Sequence, residues 1–173
     1  MQPMTFEIKI KVKDMYAYLM YHAYKGIGIF NIILSVIAII MLIQGGSSQD
    51  STRFMILLFI ALFFTVIQPV TLYLKAAQQI MGNPLFQKPI KYTFNEEGFI
   101  TSQEKESMSV TYDKIWKIKL LSKRIFIYTG RFNASIIPLM EIPKEEKDKL
   151  ITFLKEKEIQ AKTKKGNDNQ IAE

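Results

Sequence analysis

Cysteine is absent from the 173 residues, and histidine occurs once, at position 22. Without thiols the chain forms neither disulfides nor thiolate metal sites, and it fits a reducing compartment. His22 has no second histidine or acid pair near it in the sequence, so it offers no metal ligand set and no oriented base. A phosphate-cradling glycine loop and a GxSxG nucleophile turn are missing too. The close carboxylates Glu96–Glu97 and Glu104 with Glu106 fall where hairpin turns are expected, and solvated charge is their ordinary reading. The expectation is a protein with no catalysis, no cofactor and no metal.

Charge is scarce in one long stretch. From Gly26 to Leu74 the one base is Arg53 and the one acid is Asp50, both inside the polar break "QGGSSQDSTR". Apolar runs flank that break, residues 26–43 and 54–74. A bilayer core takes about 20 apolar helical residues, and both runs fit. Two buried core helices, or a cleaved signal sequence in place of the first run, are the soluble alternatives. Two charge-free runs back to back, behind 25 residues of patterned sequence, favour a transmembrane hairpin. The flanks carry Lys9, Lys11, Lys13 and Lys25 on one side and Lys75, Lys88 and Lys91 on the other, against Arg53 alone in the loop. By the positive-inside rule this multi-pass chain sits in the plasma membrane with both termini cytoplasmic. The net charge of +7 then reads as a topology signal beside anionic lipid, and nucleic acid is not an expected partner.

The polar residues inside the runs are spaced to share one face of each helix: Gly28, Asn31, Ser35 and Ala38, then Ala61, Thr65, Gln68 and Thr71. Matching depths in an antiparallel pair sets Gly28 against Thr71, Asn31 against Gln68, Ser35 against Thr65 and Ala38 against Ala61. Small residues let helices approach, and amides and hydroxyls bond across the seam. Pro69 has no amide to give, so an α-helical count leaves the Thr65 carbonyl unpartnered, with Ser35 as its expected donor. The polar seam Asn31, Ser35, Thr65 and Gln68 is read as structural. A solute path is the sharper alternative, but two helices enclose no pore.

Outside the runs, "TFEIKIKVK" alternates strictly and predicts a half-buried strand within residues 1–13. Asp14 reads as the N-cap of an interfacial helix over 14–25, whose tyrosines 16, 18, 21 and 24 suit a headgroup-level belt. A helix continuation and linker fill 75–89, ending in "GNPLFQKP". Over 90–160, "IKYTF", "GFITS", "SMSVTY", "IWKIKLL", "RIFIYT" and "NASIIP" predict six strands in an antiparallel meander. Pro143 then opens a helix with an apolar stripe at Leu150, Ile151, Phe153 and Leu154. The polar residues 161–173 read as a disordered tail. The four apolar residues Phe6, Ile8, Ile10 and Val12 need a β partner, which places the membrane hairpin between the first and second strands of one cytoplasmic domain.

The stretches "KVKDMYAYLMYHAYK", "YTFNEEGFITS", "VTYDKIWKI", "FIYTGRFNASIIP" and "PKEEKDKLITFLKEK" resemble the YcxB-like family of bacterial membrane proteins, over nearly the whole chain. The resemblance implies two spans and a cytoplasmic pleckstrin-homology-like (PH-like) domain, and no established activity. In that pattern Trp116 is a core or strand-end aromatic. The expected fold is therefore α+β: a two-helix transmembrane hairpin with an antiparallel PH-like barrel or sandwich, closed by a C-terminal helix. The expected function is a membrane-anchored binding or regulatory module, with an accessory subunit of a larger membrane complex as the alternative. Its expected partners are the bilayer, a membrane-adjacent protein, and anionic lipid at the basic hairpin Lys117, Lys119, Lys123 and Arg124. A solvated strand face is the ordinary reading of those four charges.

Overall fold

Five residues at the start of the chain, Met4–Ile8, form β1, and their partners lie more than eighty residues away in β2, Ile90–Phe94. The computed structural model describes residues 3–25, 27–45, 50–130 and 133–171, with side chains through residue 158 except that of residue 27. The chain divides into two compact units, Met1–Asp14 with Ile80–Glu173, and Met15–Gln79.

The first unit is built on two antiparallel sheets. One has the order β1-β2-β3-β4, with β3 at Gly98–Gln103 and β4 at Glu106–Thr111. The other has the order β5-β6-β7, with strands Lys117–Leu120, Arg124–Tyr128 and Ala134–Pro138. Alternation decides which side chains are buried in β1 and β2: Phe6, Ile8, Tyr92 and Phe94 point inward, while the cross-strand pair Glu7 and Lys91 is exposed. Each such burial contributes about 1.5–3 kcal/mol, which is why the first strand cannot stand alone. Phe94 packs against Phe6, Tyr92 and Phe99, with ring centroids 5.7–6.4 Å apart. The register ends where Ile8 meets Ile90, because Pro89 has no amide to extend the ladder.

Turn chemistry sets the register of the first sheet. The Asn95 carboxamide oxygen accepts from the amides of Glu97 and Gly98, closing the β2–β3 turn. A Cβ on Gly98 would lie 2.1 Å from the Val110 carbonyl oxygen, so the close approach of β4 requires glycine there. Gln103 pairs with Glu106 across a two-residue turn, and Glu104 takes the positive φ of 53° that such a turn demands.

Strand β6 is buried on both faces, with Ile125, Phe126, Ile127 and Tyr128 all inaccessible. Its sequence is accordingly a continuous apolar run instead of an alternating one. Burial pushes the Tyr92 phenol up to about 12. Helix α5, Lys144–Ile171, lays Leu150, Phe153 and Leu154 on the core, with Phe153 edge-on to Tyr112 at 5.8 Å.

Three expectations are corrected in this unit. The barrel is not closed: the sheets keep separate edges, since a 3₁₀ turn at Tyr112–Lys114 ends the pairing of β4 before β5 begins. The first strand stops at Ile8, and Val12 belongs to the helix that follows. The backbone beyond residue 160 is helical to Ile171, although Gly166 and Asn167 to Asn169 are weak helix formers.

The second unit holds α1 from Met15 onward (α1 spans Val12–Tyr24), α2 (Ile27–Gly45), α3 (Ser51–Leu62), a π-helical turn (Phe63–Ile67) and α4 to Gln79 (α4 spans Gln68–Gly82). The first apolar helix is shifted two residues from its expected span, to 28–45, and the second outruns its own, from 51 to 82; both are long and apolar enough to cross a membrane. Their apolar side chains face outward: Phe30 is 63 % exposed, Ile43 76 % and Phe59 62 %. Gly28 lets the second helix start against the first, since a Cβ there would meet the Ala23 carbonyl oxygen at 2.1 Å.

Candidate functional site

Polar groups inside the apolar helices are the residues least expected by composition. Ser35, Ala38 and Ala61 are buried between α2 and α3. The Ser35 hydroxyl donates to the Ala61 carbonyl at 3.1 Å, and the Thr65 hydroxyl donates to the same oxygen at 2.5 Å. Pro69 explains the winding that follows. The Gln68 amide bonds to the Phe63 carbonyl, five residues back. In that winding the Phe64 carbonyl faces residue 69, which has no amide to offer. The Tyr24 hydroxyl donates to the Phe64 carbonyl at 3.1 Å instead.

The seam therefore differs from the α-helical count. The π turn moves the orphaned carbonyl from Thr65 to Phe64, its donor is Tyr24, and Ser35 bonds one turn earlier at Ala61. Ala38 and Ala61 are both buried, as small residues at a helix contact should be. No hydrogen bond joins Asn31 to Gln68 among the described residues, and the Gln68 Oε1 atom is buried without a partner. Gly28 abuts Ala23, and the Thr71 hydroxyl returns to the Gln68 carbonyl of its own helix. Thr65 and Thr71 are exposed residues.

The basic hairpin of the β unit separates into distinct environments. Lys117 and Lys119 are half-buried, Lys123 is exposed on the turn, and Arg124 is committed to an ion pair. Arg124 Nε donates to Asp14 Oδ1 at 2.9 Å, and Arg124 Nη2 donates to the Lys13 carbonyl at 3.1 Å. Asp14 is 2 % exposed. Its second oxygen accepts from the Lys11 amide at 3.1 Å, so Asp14 sits inside the first turn and reaches back, where an N-cap was expected. A second pair lies alongside. Glu141 accepts from the Lys11 ammonium at 2.5 Å and from the Lys9 amide at 3.0 Å. Burial alone would raise the Glu141 carboxyl, but these two hydrogen bonds outweigh it and the net shift is downward. The bond to Glu141 raises Lys11 in turn. Residues 9–14, the β5–β6 turn and the Leu139–Glu141 turn are thus fastened together at one end of the β unit.

The remaining sequence candidates fall outside these clusters. Trp116 is 56 % exposed beside Tyr128, at the start of β5, so it is a strand-end aromatic and not a core one. Glu104, in the β3–β4 turn, is paired with Lys88, which lies just before β2. Burial first, and the Lys25 charge second, hold the His22 imidazole below its usual value. No group of three or more His, Asp or Glu side chains suited to a metal ion occurs among the described residues. Asp14, Glu141 and Tyr24 were not distinguishable as partners from sequence, because their contacts lie 110, 130 and 40 residues away.

Compared with known proteins, residues 94–154 match the family described as YcxB-like protein. That segment runs from the end of β2 through the buried stripe of α5. No curated protein and no solved structure matches the chain.

Proposed function

We propose that this chain, YcxB-like over residues 94–154, is a membrane-anchored binding or regulatory module without catalysis. In this reading α2 and the long helix from Ser51 to Gly82 cross the plasma membrane, both termini are cytoplasmic, and the β unit is a PH-like domain. The observation that carries it is the outward display of apolar side chains along both helices. A core helix of a soluble protein buries that surface, whereas a span presents it to lipid. Four strands plus three, followed by a helix on the core, support the PH-like reading of the β unit. The scarcity of charge in the loop between the helices supports the orientation.

Photo-crosslinking in cells tests this. A crosslinker replacing Met108 or Trp116, both exposed on the β unit, should give a discrete adduct that maps the ligand-bearing face. A crosslinker at Phe59 or Ile37 should give lipid adducts. A protein adduct from the helix positions with none from the β unit would replace the module by an accessory subunit of a larger complex.

A further inference from the structure

The fastened end of the β unit combines two properties that nothing in its own packing uses. Met140 is 74 % exposed, a higher fraction than Met81 at 70 %, Met108 at 62 % or Trp116 at 56 %. Lys9, Lys11, Lys13 and Lys123 are all exposed around it in the same three segments. Leu139 donates its amide to the Lys123 carbonyl at 3.0 Å, and the pairs of Arg124 and Glu141 hold residues 9–14 to that turn. Five bases against two acids, Asp14 and Glu141, leave this corner a net charge of +3. Arg124 and Lys11 are committed to those acids, and Lys9, Lys13 and Lys123 form the outer rim.

We infer that this corner is a docking face for the anionic surface of the bilayer, with Met140 entering the headgroup region and Lys9, Lys13 and Lys123 facing lipid phosphates. The inference rests on the membrane reading above, and it moves the lipid contact away from Lys117, Lys119 and Arg124. Lysine stems cover apolar surface while their heads remain at the charged layer, which suits a rim around a buried methionine. Chain connectivity supplies the occupant. Residue 13 lies in the first turn of α1, whose 13 residues span about 20 Å, and α2 begins at Ile27. A basic patch held on so short a leash meets lipid at high effective concentration, whereas a soluble partner has no such advantage.

The cysteine-free chain allows a direct test. Full-length protein carrying Met140→Cys and an environment-sensitive fluorophore is placed in nanodiscs of phosphatidylcholine, with or without phosphatidylglycerol. Quenching is read from spin-labelled lipid. The label should be quenched in the anionic discs and water-like in the neutral ones. Raising salt from about 0.1 M to about 1 M, which shortens the Debye length from about 10 Å to about 3 Å, should reverse it. Each rim lysine replaced by glutamate should lower the docked-to-free ratio at least roughly fivefold. The exposed triple change Lys9→Arg, Lys13→Arg, Lys123→Arg should retain docking. A label at Ile37 reports the membrane reading separately. If Ile37 is quenched and Met140 is water-like in both discs, the docking face is overturned and the membrane reading stands. If Ile37 is not quenched, both fall. Protection of Met140 only in native membranes, with a protein crosslinked to it, would also overturn the lipid assignment.

Discussion

Removing Arg124 is the sharpest structural perturbation available outside the apolar helices. Arg124→Ala leaves Asp14, 2 % exposed, with the Lys11 amide as its remaining partner, and it also frees the Lys13 carbonyl. Stripping one partner from a buried ion pair costs about 3–5 kcal/mol. The Arg124 side chain retains 18 % exposure, so water offsets part of this and about 2–4 kcal/mol is expected. The double change Asp14→Leu, Arg124→Leu removes both charges and should cost less than the two single changes together, with a coupling of at least about 1 kcal/mol. Hydrogen exchange on the full chain in nanodiscs measures it through the slowest amides of β1 and β6. Arg124→Ala should speed those amides by tens to hundreds of fold, since each 1.4 kcal/mol is about tenfold. Single changes within about twofold of the parent, or strictly additive pairs, would refute the idea that this ion pair fastens the first strand segment to β6.

Two further outcomes are expected. Tyr24→Phe should weaken the helix hairpin by about 1 kcal/mol, and by much less in a Pro69→Ala background where the amide is restored; equal costs in both backgrounds, read by denaturant titration in detergent, would contradict the π-turn account. The Lys11–Glu141 pair should be stabilising across a bounded pH range. Glu141 is depressed, so its contribution is present above the ordinary carboxylate value and is lost as pH falls through its folded value. Lys11 is raised, so its contribution is present below 10.5 and is lost as pH rises through its folded value. Exchange rates of the parent and Glu141→Gln should therefore differ at neutral pH and converge in acid; a constant difference across that range would sink this assignment.

Local pattern carried most of the β unit into view. Strict alternation marks β1 and β2, and Asn95–Gly98 marks the turn between β2 and β3, because one buried face and one positional glycine leave direct traces in residue order. The apolar runs announce both long helices because their length and lack of charge are read directly from residue order. What stayed hidden is long-range or geometric. Arg124 reads as one more lysine-like charge on a strand, and only the fold brings Asp14 to it from 110 residues away. The π turn moves the carbonyl left open by Pro69 from Thr65 to Phe64, so a uniform α-helical count overlooks Tyr24, and Ser35 bonds a turn away at Ala61. The open sheet edges depend on the 3₁₀ turn at Tyr112–Lys114, and residue order alone does not show whether β4 and β5 pair across that break. At the corner itself, Met140 is an ordinary methionine in sequence, and only its exposure beside Lys123 sets it apart.

The central claim is a membrane hairpin set between the first two strands of a cytoplasmic β unit. Because the chain has no cysteine, single cysteines at Ser51 and Ser107, both exposed, report sidedness without background. With a membrane-impermeant maleimide, Ser51→Cys should label in intact cells, and Ser107→Cys only after permeabilisation. Equal labelling of the two positions in intact cells would contradict the account.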